Sequence, residues 1–255
     1  MDNEKIFNRV EKKYLITETQ KSILLSAIDK HMEQDGYYKS SIYNIYFDND
    51  SYDLIIQSID RPIFKEKLRA RSYEGYDKVF LEIKTKVLRR AYRAKILDSA
   101  DADKDNNLGY KRRILITHRD YDQFVKRRAT AETLATKHTE TDNDIQIAKE
   151  IDYFVEHFHL KPKILVHYDR ESYVNDHGLR ITFDEHLKYR TTNLKFKALS
   201  RDKNYFNHTD YDIIMELKAQ NALPLWLVHT LSAEKIYPQQ FSKIGKIYER
   251  IRKEK

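Results

Sequence analysis

The sequence predicts an α+β protein in which about eight β-strands form a sheet and helices pack on one side of it. Two patterns lead to this prediction. Several segments carry a charged residue at every second position with aliphatic residues between them, which is the period of a strand. Other segments repeat apolar residues at helical spacing. Because no repeat or linker divides residues 1–255, we expect a single domain.

The first part of the chain alternates between strand and helix signals. Residues 7–16 predict a strand that places Glu11 and Lys13 on one face. A Thr-x-x-Gln capping box at 17–20 then starts an amphipathic helix. Residues 41–47 predict a second strand, and residues 52–59 predict a short helix.

The stretch 65–97 shows the most regular alternation. Two predicted strands, joined by a turn at 74–77, each place charged side chains on one face and aliphatic ones on the other. A third segment, 92–96, follows them. The charged residues of these three segments are Lys67, Arg69, Arg71, Glu82, Lys84, Lys86, Arg93 and Lys95. Taken alone, these strands leave open whether the charged face is solvated or binds a polyanion.

The second half of the chain supplies the other strands and the longest helices. We expect a polar loop at 98–109, a helix from Ile114 through Val125, and a helix at 145–160. The polar segment 130–144 is expected to be an exposed helix edge or a mobile segment. The basic runs 111–113 and 126–128 are interpreted as solvated helix faces. Further strands are predicted at 163–174, 179–184 and 211–218, and further helices at 225–236 and 241–252.

Composition restricts the possible partners and chemistry. Lys and Arg total 47 against 40 acidic residues, a net charge of +7 that favours nucleic acid, anionic lipid or phosphate compounds. The chain has no cysteine, which excludes disulfides, thiolate metal sites and cysteine nucleophiles. Its N-terminus lacks an apolar leader, and no apolar run approaches the roughly 20 residues of a membrane span. We therefore expect a cytoplasmic protein without a transmembrane segment.

Three predicted strands carry the same Glu-x-Lys triplet, at 11–13, 82–84 and 216–218. Later strands add Tyr168 with Arg170, and a face with Arg180, Thr182 and Asp184. Arginine binds phosphate oxygens bidentately, and lysine is a compact positive charge. The acidic residues would hold Mg²⁺ or Mn²⁺, or keep neighbouring lysines ordered in the empty site. The pattern therefore points to phosphate chains, on either a flat sheet or the inside of a closed barrel.

These motifs, in this order, resemble the VTC domain, the polyphosphate polymerase-like branch of the triphosphate tunnel metalloenzymes. The resemblance extends from Arg9 to about Arg250. The matching segments are RVEKKY at 9–14, IYFD at 45–48, KLRARSY at 67–73, FLEIKTK at 80–86, YDR at 168–170, LRITFD at 179–184, MELK at 215–218 and FSK at 241–243.

The resemblance implies an antiparallel eight-stranded β tunnel, a closed barrel with a basic lumen and helices on the outside. It implies a divalent metal, Mn²⁺ or Mg²⁺, held by Glu216; Glu82 and Glu11 are further candidates from the acidic residues of the same faces. The implied catalytic residues, which would grip phosphates, are Lys13, Arg69, Arg71, Lys84, Arg93, Arg170, Arg180 and Lys218. The implied or candidate substrate-binding residues are Lys67, Lys86, Lys95, Tyr168, Ser242 and Lys243.

The implied activity is that of an ATP-dependent polyphosphate polymerase, which transfers the γ-phosphoryl group of ATP to a polyphosphate chain. Positioning and charge neutralisation dominate phosphoryl transfer, so no Ser-His-Asp set is required. A hydrolase of tripolyphosphate or a nucleoside triphosphate would use the same residues. A non-catalytic polyphosphate-binding module would not need Glu216. We expect ATP or another triphosphate and polyphosphate as partners. We expect no nucleic acid, because a nucleic-acid binder should have exposed aromatic residues beside its basic strands and the sequence does not identify any there.

Overall fold

The computed structural model describes residues 10–60, 63–87, 108–138, 141–206, 213–220 and 222–254. These ranges contain strands β1 (Val10–Ile16), β2 (Glu33–Asp48), β3 (Phe64–Tyr73), β4 (Lys78–Val87), β5 (Leu108–Thr117), β6 (Lys161–Val174), β7 (Arg180–Arg190), β8 (Lys203–Asn204) and β9 (Ile213–Ala219). They also contain helices α1 (Glu18–Ile28), α2 (Asp53–Ile59), α3 (His118–Val125), α4 (Ala131–Ala135), α5 (Asp142–His157), α6 (Leu225–Ala233) and α7 (Lys243–Lys253). The predicted α+β class with an antiparallel sheet is confirmed.

Residue contacts divide the chain into two compact units. The first unit includes Tyr43–Val166 and Arg190–Lys197. The second includes Arg9–Ile42, His167–Tyr189 and Ala198–Lys255. The hydrogen-bonded strand order is β6-β2-β3-β4-β5 in the first unit and β1-β9-β7-β6-β2 in the second, with β8 beside β7. Strands β2 and β6 contribute residues to both units, and the expectation of a single domain stays a prediction.

In the first unit, one face of the sheet is apolar and packs against helices. Leu68, Leu81 and Ile83 are buried on β3 and β4, as the alternating pattern predicts. They share a core with Phe124 of α3 and Ile151 of α5. Burying a large aliphatic side chain contributes about 1.5–3 kcal/mol, so this face decides which way the intervening charged residues point.

Strand β5 corrects the prediction of a helix from Ile114. The strand continues to Thr117, whose side chain starts α3 with a capping box. Ile114 and Ile116 are buried, whereas Leu115 between them is exposed, which is the period of a strand. The basic run 111–113 therefore lies in a strand and not on a solvated helix face.

The segment 130–144 also departs from its prediction, because it contains α4 with Ala131 and Leu134 fully buried. Two carboxylate oxygens of Asp152, in α5, accept hydrogen bonds from the amides of Ala131 and Glu132 at 2.7 and 2.9 Å. These amides at a helix N-terminus have no partner within their own helix. The segment is thus held by a residue 20 positions away, for which its local sequence gives no signal.

In the second unit, one face is again apolar. Tyr14, Phe183 and Met215 are buried together on three neighbouring strands. The residues that alternate with them include Lys13 and Thr182, which both lie opposite Glu216. The strand pairing therefore places charged residues of β1, β7 and β9 on a common face, as the alternation predicts.

Turns and boundaries in the second unit agree with the sequence in part. The predicted capping box at the start of α1 is present. Between β6 and β7, Gly178 has φ +76°, a conformation that favours glycine, and an added Cβ would lie 2.8 Å from the side chain of Gln220. Strand β2 begins at Glu33, not at residue 41 as predicted. Its first half is mostly exposed and shows no alternation, so the sequence pattern does not reveal it.

Part of the prediction falls outside the described residues. The predicted strand segment 92–96 and positions 98–107 of the predicted loop lie there. In the portion of the chain that is described, no helix is long and apolar enough to cross a membrane.

Candidate functional site

The first unit has a charged face on β3, β4 and β5, opposite its aliphatic core, which we call the first basic face. Cross-strand pairing places Lys65 opposite Lys86 and Lys67 opposite Lys84. Lys84 is in turn opposite Lys111. Like charges directly opposite each other destabilise a sheet, so an anion bound over this face would relieve the repulsion. The residues of the first basic face are Lys65, Lys67, Arg69, Arg71, Glu82, Lys84, Lys86, Lys111 and Arg113.

Glu82 lies buried among the cations of this face. Arg69 Nε donates a hydrogen bond to its Oε2 at 2.6 Å, and Lys111 Nζ lies 3.6 Å from its Oε1. Burial alone would raise the pKa of the Glu82 carboxyl, but Arg69, Arg71 and Lys111 outweigh it and hold that pKa well below its usual range. Oε1 makes no hydrogen bond despite its burial. Glu82 therefore acts as a fixed internal counter-anion in this structure.

Lys111 and Arg113 are functional candidates that the sequence analysis missed. Burial is the largest influence on Lys111 and lowers its pKa to about 8, although Glu82 opposes this shift. The guanidinium of Arg113 lies 4.5 Å from the ring centroid of Phe80. The available signal was the alternation of Lys111 and Arg113 with Ile114 and Ile116, which the adjacent bases of the run 111–113 obscured.

The other predicted residues of this face are placed as follows. Arg71 Nε donates a hydrogen bond to Asn44 Oδ1 at 2.8 Å. Lys84 is exposed, and Lys67 and Lys86 are half-buried. All three lysines point away from the aliphatic core, as predicted. Their roles in binding or catalysis stay predictions.

The second unit has its own charged face on β1, β9, β7 and β6, which we call the second basic face. At its centre is Glu216, whose Oε1 lies 2.6 Å from Lys218 Nζ. Burial would raise the pKa of Glu216, but Lys218, Lys13, Lys243 and Arg170 lower it well below its usual range. The four predicted phosphate-binding cations of this cluster therefore all interact electrostatically with the same buried carboxylate.

Asp184 is a second buried carboxylate on this face. Its Oδ1 accepts a hydrogen bond from Arg170 Nε at 2.6 Å, and its Oδ2 accepts one from Lys243 Nζ at 2.5 Å. Burial would raise the pKa of Asp184, but the charges of Arg170 and Lys243 lower it. The aromatic ring of Tyr168 contacts both cations. The sequence predicts Asp184 on this face with Arg180 and Thr182, but Asp184 is not among the predicted site residues.

Further contacts of the predicted residues on the second basic face are as follows. Arg180 is 44% exposed, and its Nη2 lies 2.8 Å from Asp35 Oδ2. Lys13 Nζ lies 3.5 Å from Glu11 Oε1 and donates a hydrogen bond to the Phe241 carbonyl at 3.2 Å. The Ser242 hydroxyl accepts a hydrogen bond from the amide of Gly245 at the start of α7. Arg93 and Lys95 lie outside the described residues.

The candidate metal ligands differ in their surroundings. Among the described residues, no three His, Cys, Asp or Glu side chains form a cluster that could hold a metal without other ligands. Mg²⁺ is commonly bound by one or two carboxylates together with substrate phosphates and water. Glu216 and Glu11 lie on paired strands and would supply such carboxylates, but Lys218 Nζ is 2.6 Å from Glu216 Oε1 and Lys13 Nζ is 3.5 Å from Glu11 Oε1, so a metal there would also have to compete with lysines. Glu82 is bound to Arg69 and lies close to Lys111, so a metal there would have to displace these cations.

The chain is similar in fold to a solved structure. The chain aligns with a putative adenylyl cyclase from Hippeastrum, described as having a dominant triphosphatase activity, at 15% identity and a TM-score of 0.53 over 92% of each chain. It also aligns with a protein from Pyrococcus horikoshii at 12% identity and a TM-score of 0.45, over 96% of this chain and 99% of the other. At 15% identity, the alignment with the Hippeastrum protein supports a similarity of fold alone.

Sequence comparison identifies the family. No curated protein matches the chain. The model of the VTC domain matches residues 8–250, and this range contains both basic faces. Because the match spans nearly the whole chain, the protein belongs to the VTC domain family.

Proposed function

We propose that the protein is a metal-assisted, ATP-dependent polyphosphate polymerase. The observation that carries the proposal is the presence, in each unit, of arginine and lysine side chains held by buried carboxylates on one strand face. Such faces match the chemistry of a phosphate chain, which presents regularly spaced anionic oxygens. The VTC family match supports the choice of a polymerase. The proposal includes closure of the strands into a tunnel with the charged side chains inside.

In this proposal, both basic faces bind phosphate groups. Arginines would receive phosphate oxygens bidentately, and lysines would neutralise charge. We add Lys111 and Arg113 to the predicted set, because the register of β5 places them on the first basic face. The proposed phosphate-binding residues are Lys13, Lys67, Arg69, Arg71, Lys84, Lys86, Arg93, Lys95, Lys111, Arg113, Tyr168, Arg170, Arg180, Lys218, Ser242 and Lys243.

Glu216 would hold Mn²⁺ or Mg²⁺, with Glu11 as a second ligand. A divalent metal held there would supply positive charge that neutralises the phosphates of the substrate. The chain's own groups would do the rest: they would align the triphosphate with the acceptor and stabilise the charge of the transferring group. Glu82 and Asp184 would keep their cations in place before substrate arrives. The predicted metal role of Glu82 remains an alternative.

A hydrolase of tripolyphosphate or a nucleoside triphosphate is the second candidate. The likeness in fold to a protein described as having a dominant triphosphatase activity favours it. The two activities differ only in the acceptor, which is a terminal phosphate oxygen in the polymerase and water in the hydrolase. A non-catalytic polyphosphate-binding protein is the third candidate. A cytoplasmic location and the absence of nucleic-acid partners stay predictions.

The test is to incubate the purified protein with ATP, and separately with tripolyphosphate, in the presence of Mn²⁺ or Mg²⁺, to separate the products by gel electrophoresis, and to measure polyphosphate binding by calorimetry. Long phosphate chains together with ADP support the polymerase. Orthophosphate without chains would reject the polymerase in favour of the hydrolase. If ATP and tripolyphosphate persist with every divalent metal while polyphosphate still binds, the protein is a binding module.

A further inference from the structure

The carboxylate of Asp184, in β7, is fully buried between two cations. Arg170 donates to both of its oxygens, through Nε at 2.6 Å and Nη2 at 2.8 Å. Lys243 Nζ lies 2.5 Å from Oδ2. A bidentate pair fixes the plane of a guanidinium group as well as its position. Asp184 therefore determines how Arg170 is oriented, and it holds Lys243 beside it.

The aromatic ring of Tyr168 lies close to both Arg170 and Lys243. The ring centroid lies 4.7 Å from Lys243 Nζ and 5.5 Å from the guanidinium carbon of Arg170. Arg170 belongs to β6, whereas Lys243 is the first residue of α7. Asp184 thus connects a strand to a helix N-terminus through two charge-assisted contacts.

We propose that Asp184 is a positioning residue, which holds Arg170 and Lys243 in the orientation in which they receive one phosphate group, and that it binds no metal. This inference rests on the proposed function, because it takes both cations as phosphate ligands. Asp184 uses two of the five N–H donors of Arg170 and one of the three donors of Lys243. Both cations therefore keep donors for phosphate oxygens while Asp184 holds them.

Asp184→Asn keeps the side-chain shape but removes the charge and replaces one acceptor oxygen with an amide donor. Its effects on substrate binding oppose each other: a misoriented Arg170 binds less well, but the loss of a negative charge strengthens attraction for the triphosphate. Transition-state stabilisation depends on geometry, so a misoriented Arg170 is expected to reduce it. We expect kcat to fall about 10- to 100-fold while KM for the triphosphate changes by less than about threefold.

Two further variants separate position from charge and from stability. Asp184→Glu keeps the charge and moves the carboxylate by one methylene group. Positioning predicts that its kcat falls as well, whereas a role for charge alone predicts wild-type kcat. Asp48→Asn is the matched control, because Asp48 is equally buried but accepts hydrogen bonds from backbone amides at the start of α2. It should lower the unfolding temperature and leave kcat unchanged.

Steady-state kinetics of the folded variants decide the inference. A wild-type kcat in Asp184→Asn or in Asp184→Glu overturns it, and so does an equal loss of kcat in Asp48→Asn. If Asp184→Asn does not fold, Asp184→Glu decides alone.

A second readout separates this inference from the proposed function. If the wild-type protein turns over no triphosphate, the polymerase and hydrolase proposals fail, and the Arg170 Nε–H resonance in the NMR spectrum, assigned with Arg170→Lys, becomes the test. This resonance should be protected from solvent exchange and shift when tripolyphosphate is added. Both properties should be absent in Asp184→Asn, and their persistence in that variant would overturn the positioning role.

Discussion

Glu82→Gln is expected to lower the free energy of unfolding of the ligand-free protein and to increase the stabilisation that tripolyphosphate provides. The Glu82 side chain is 1% exposed, and it faces Arg69 at 16% and Lys111 at 34% exposure. Glutamine keeps the shape but removes the charge that these cations share. Its amide group also presents N–H donors to groups that are themselves donors.

The size of the effect follows from this burial. Removing one partner of a buried ion pair costs about 3–5 kcal/mol, because the remaining charge is left uncompensated. Arg69 and Lys111 are partly exposed, so solvent recovers some of that energy, and we expect about 3 kcal/mol. For a chain of this size, each kcal/mol shifts the unfolding midpoint by about 2–4 °C, which gives a fall of about 6–12 °C.

Tripolyphosphate should restore more stability in the variant than in the wild-type protein. Its phosphate oxygens would replace the missing carboxylate next to Arg69 and Lys111, and a ligand that binds the folded state stabilises it by mass action. The assay is urea and thermal unfolding followed by circular dichroism, with and without tripolyphosphate, at constant ionic strength because salt screens exposed charges.

Glu150→Gln is the matched control. Glu150 Oε2 lies 2.6 Å from Arg112 Nη1, whose side chain is on the opposite face of the same sheet. This variant should lose less stability, because both partners are about one-third exposed, and its response to tripolyphosphate should equal that of the wild-type protein. The reasoning is refuted if Glu82→Gln is as stable as the wild-type protein, or if the two variants respond equally to tripolyphosphate.

Further predictions concern four single residues. Burial lowers the pKa of Lys111 to about 8, so calorimetric affinity for tripolyphosphate should fall between about pH 7 and 9, and Lys111→Met should flatten this slope. Because lysine in an unfolded chain titrates near 10.4, the contribution of Lys111 to the free energy of unfolding should rise from about pH 8 to 10, and urea titrations of both proteins would detect it. Asp48→Asn should cost about 1–2 kcal/mol in urea unfolding, because the carboxylate caps α2 through backbone amides. Thr182→Val should leave that free energy unchanged or raise it, since the buried hydroxyl makes no hydrogen bond. Glu216→Ala should abolish metal-dependent consumption of ATP, measured as ADP formed, and wild-type turnover in this variant would contradict the assigned metal role.

The sequence was informative where a strand has one solvated or site-forming face and one buried face. In β3 and β4, charge alternates with aliphatic residues, and the predicted faces agree with the burial of Leu68, Leu81 and Ile83. The motif match likewise identified the family, because its residues recur in a fixed order over most of the chain. The local pattern was sufficient in these cases because the alternation within each strand reflects one buried face and one polar face.

Pattern failed where a residue's environment comes from distant parts of the chain. Arg112 points toward the apolar side of the sheet, where its Nη1 lies 2.6 Å from Glu150 of α5. The three adjacent basic residues 111–113 show no alternation between polar and apolar, so the sequence pattern does not indicate a strand there. The contact of Asp184 with Lys243 spans 59 positions, so no local signal distinguishes this aspartate from one that ends a strand.

The pairing of β5 has a consequence for how the first basic face is assembled. A shift of one residue would turn Arg112 onto that face and move Lys111 and Arg113 to the side of the helices. The three consecutive bases offer a positive charge in either alignment, so they do not select between them. Ile114 and Ile116 do, since a shift would expose both. Two isoleucines on the opposite side of the sheet thus specify which basic residues belong to the first basic face, and lysine in place of either would be expected to permit misalignment of this strand.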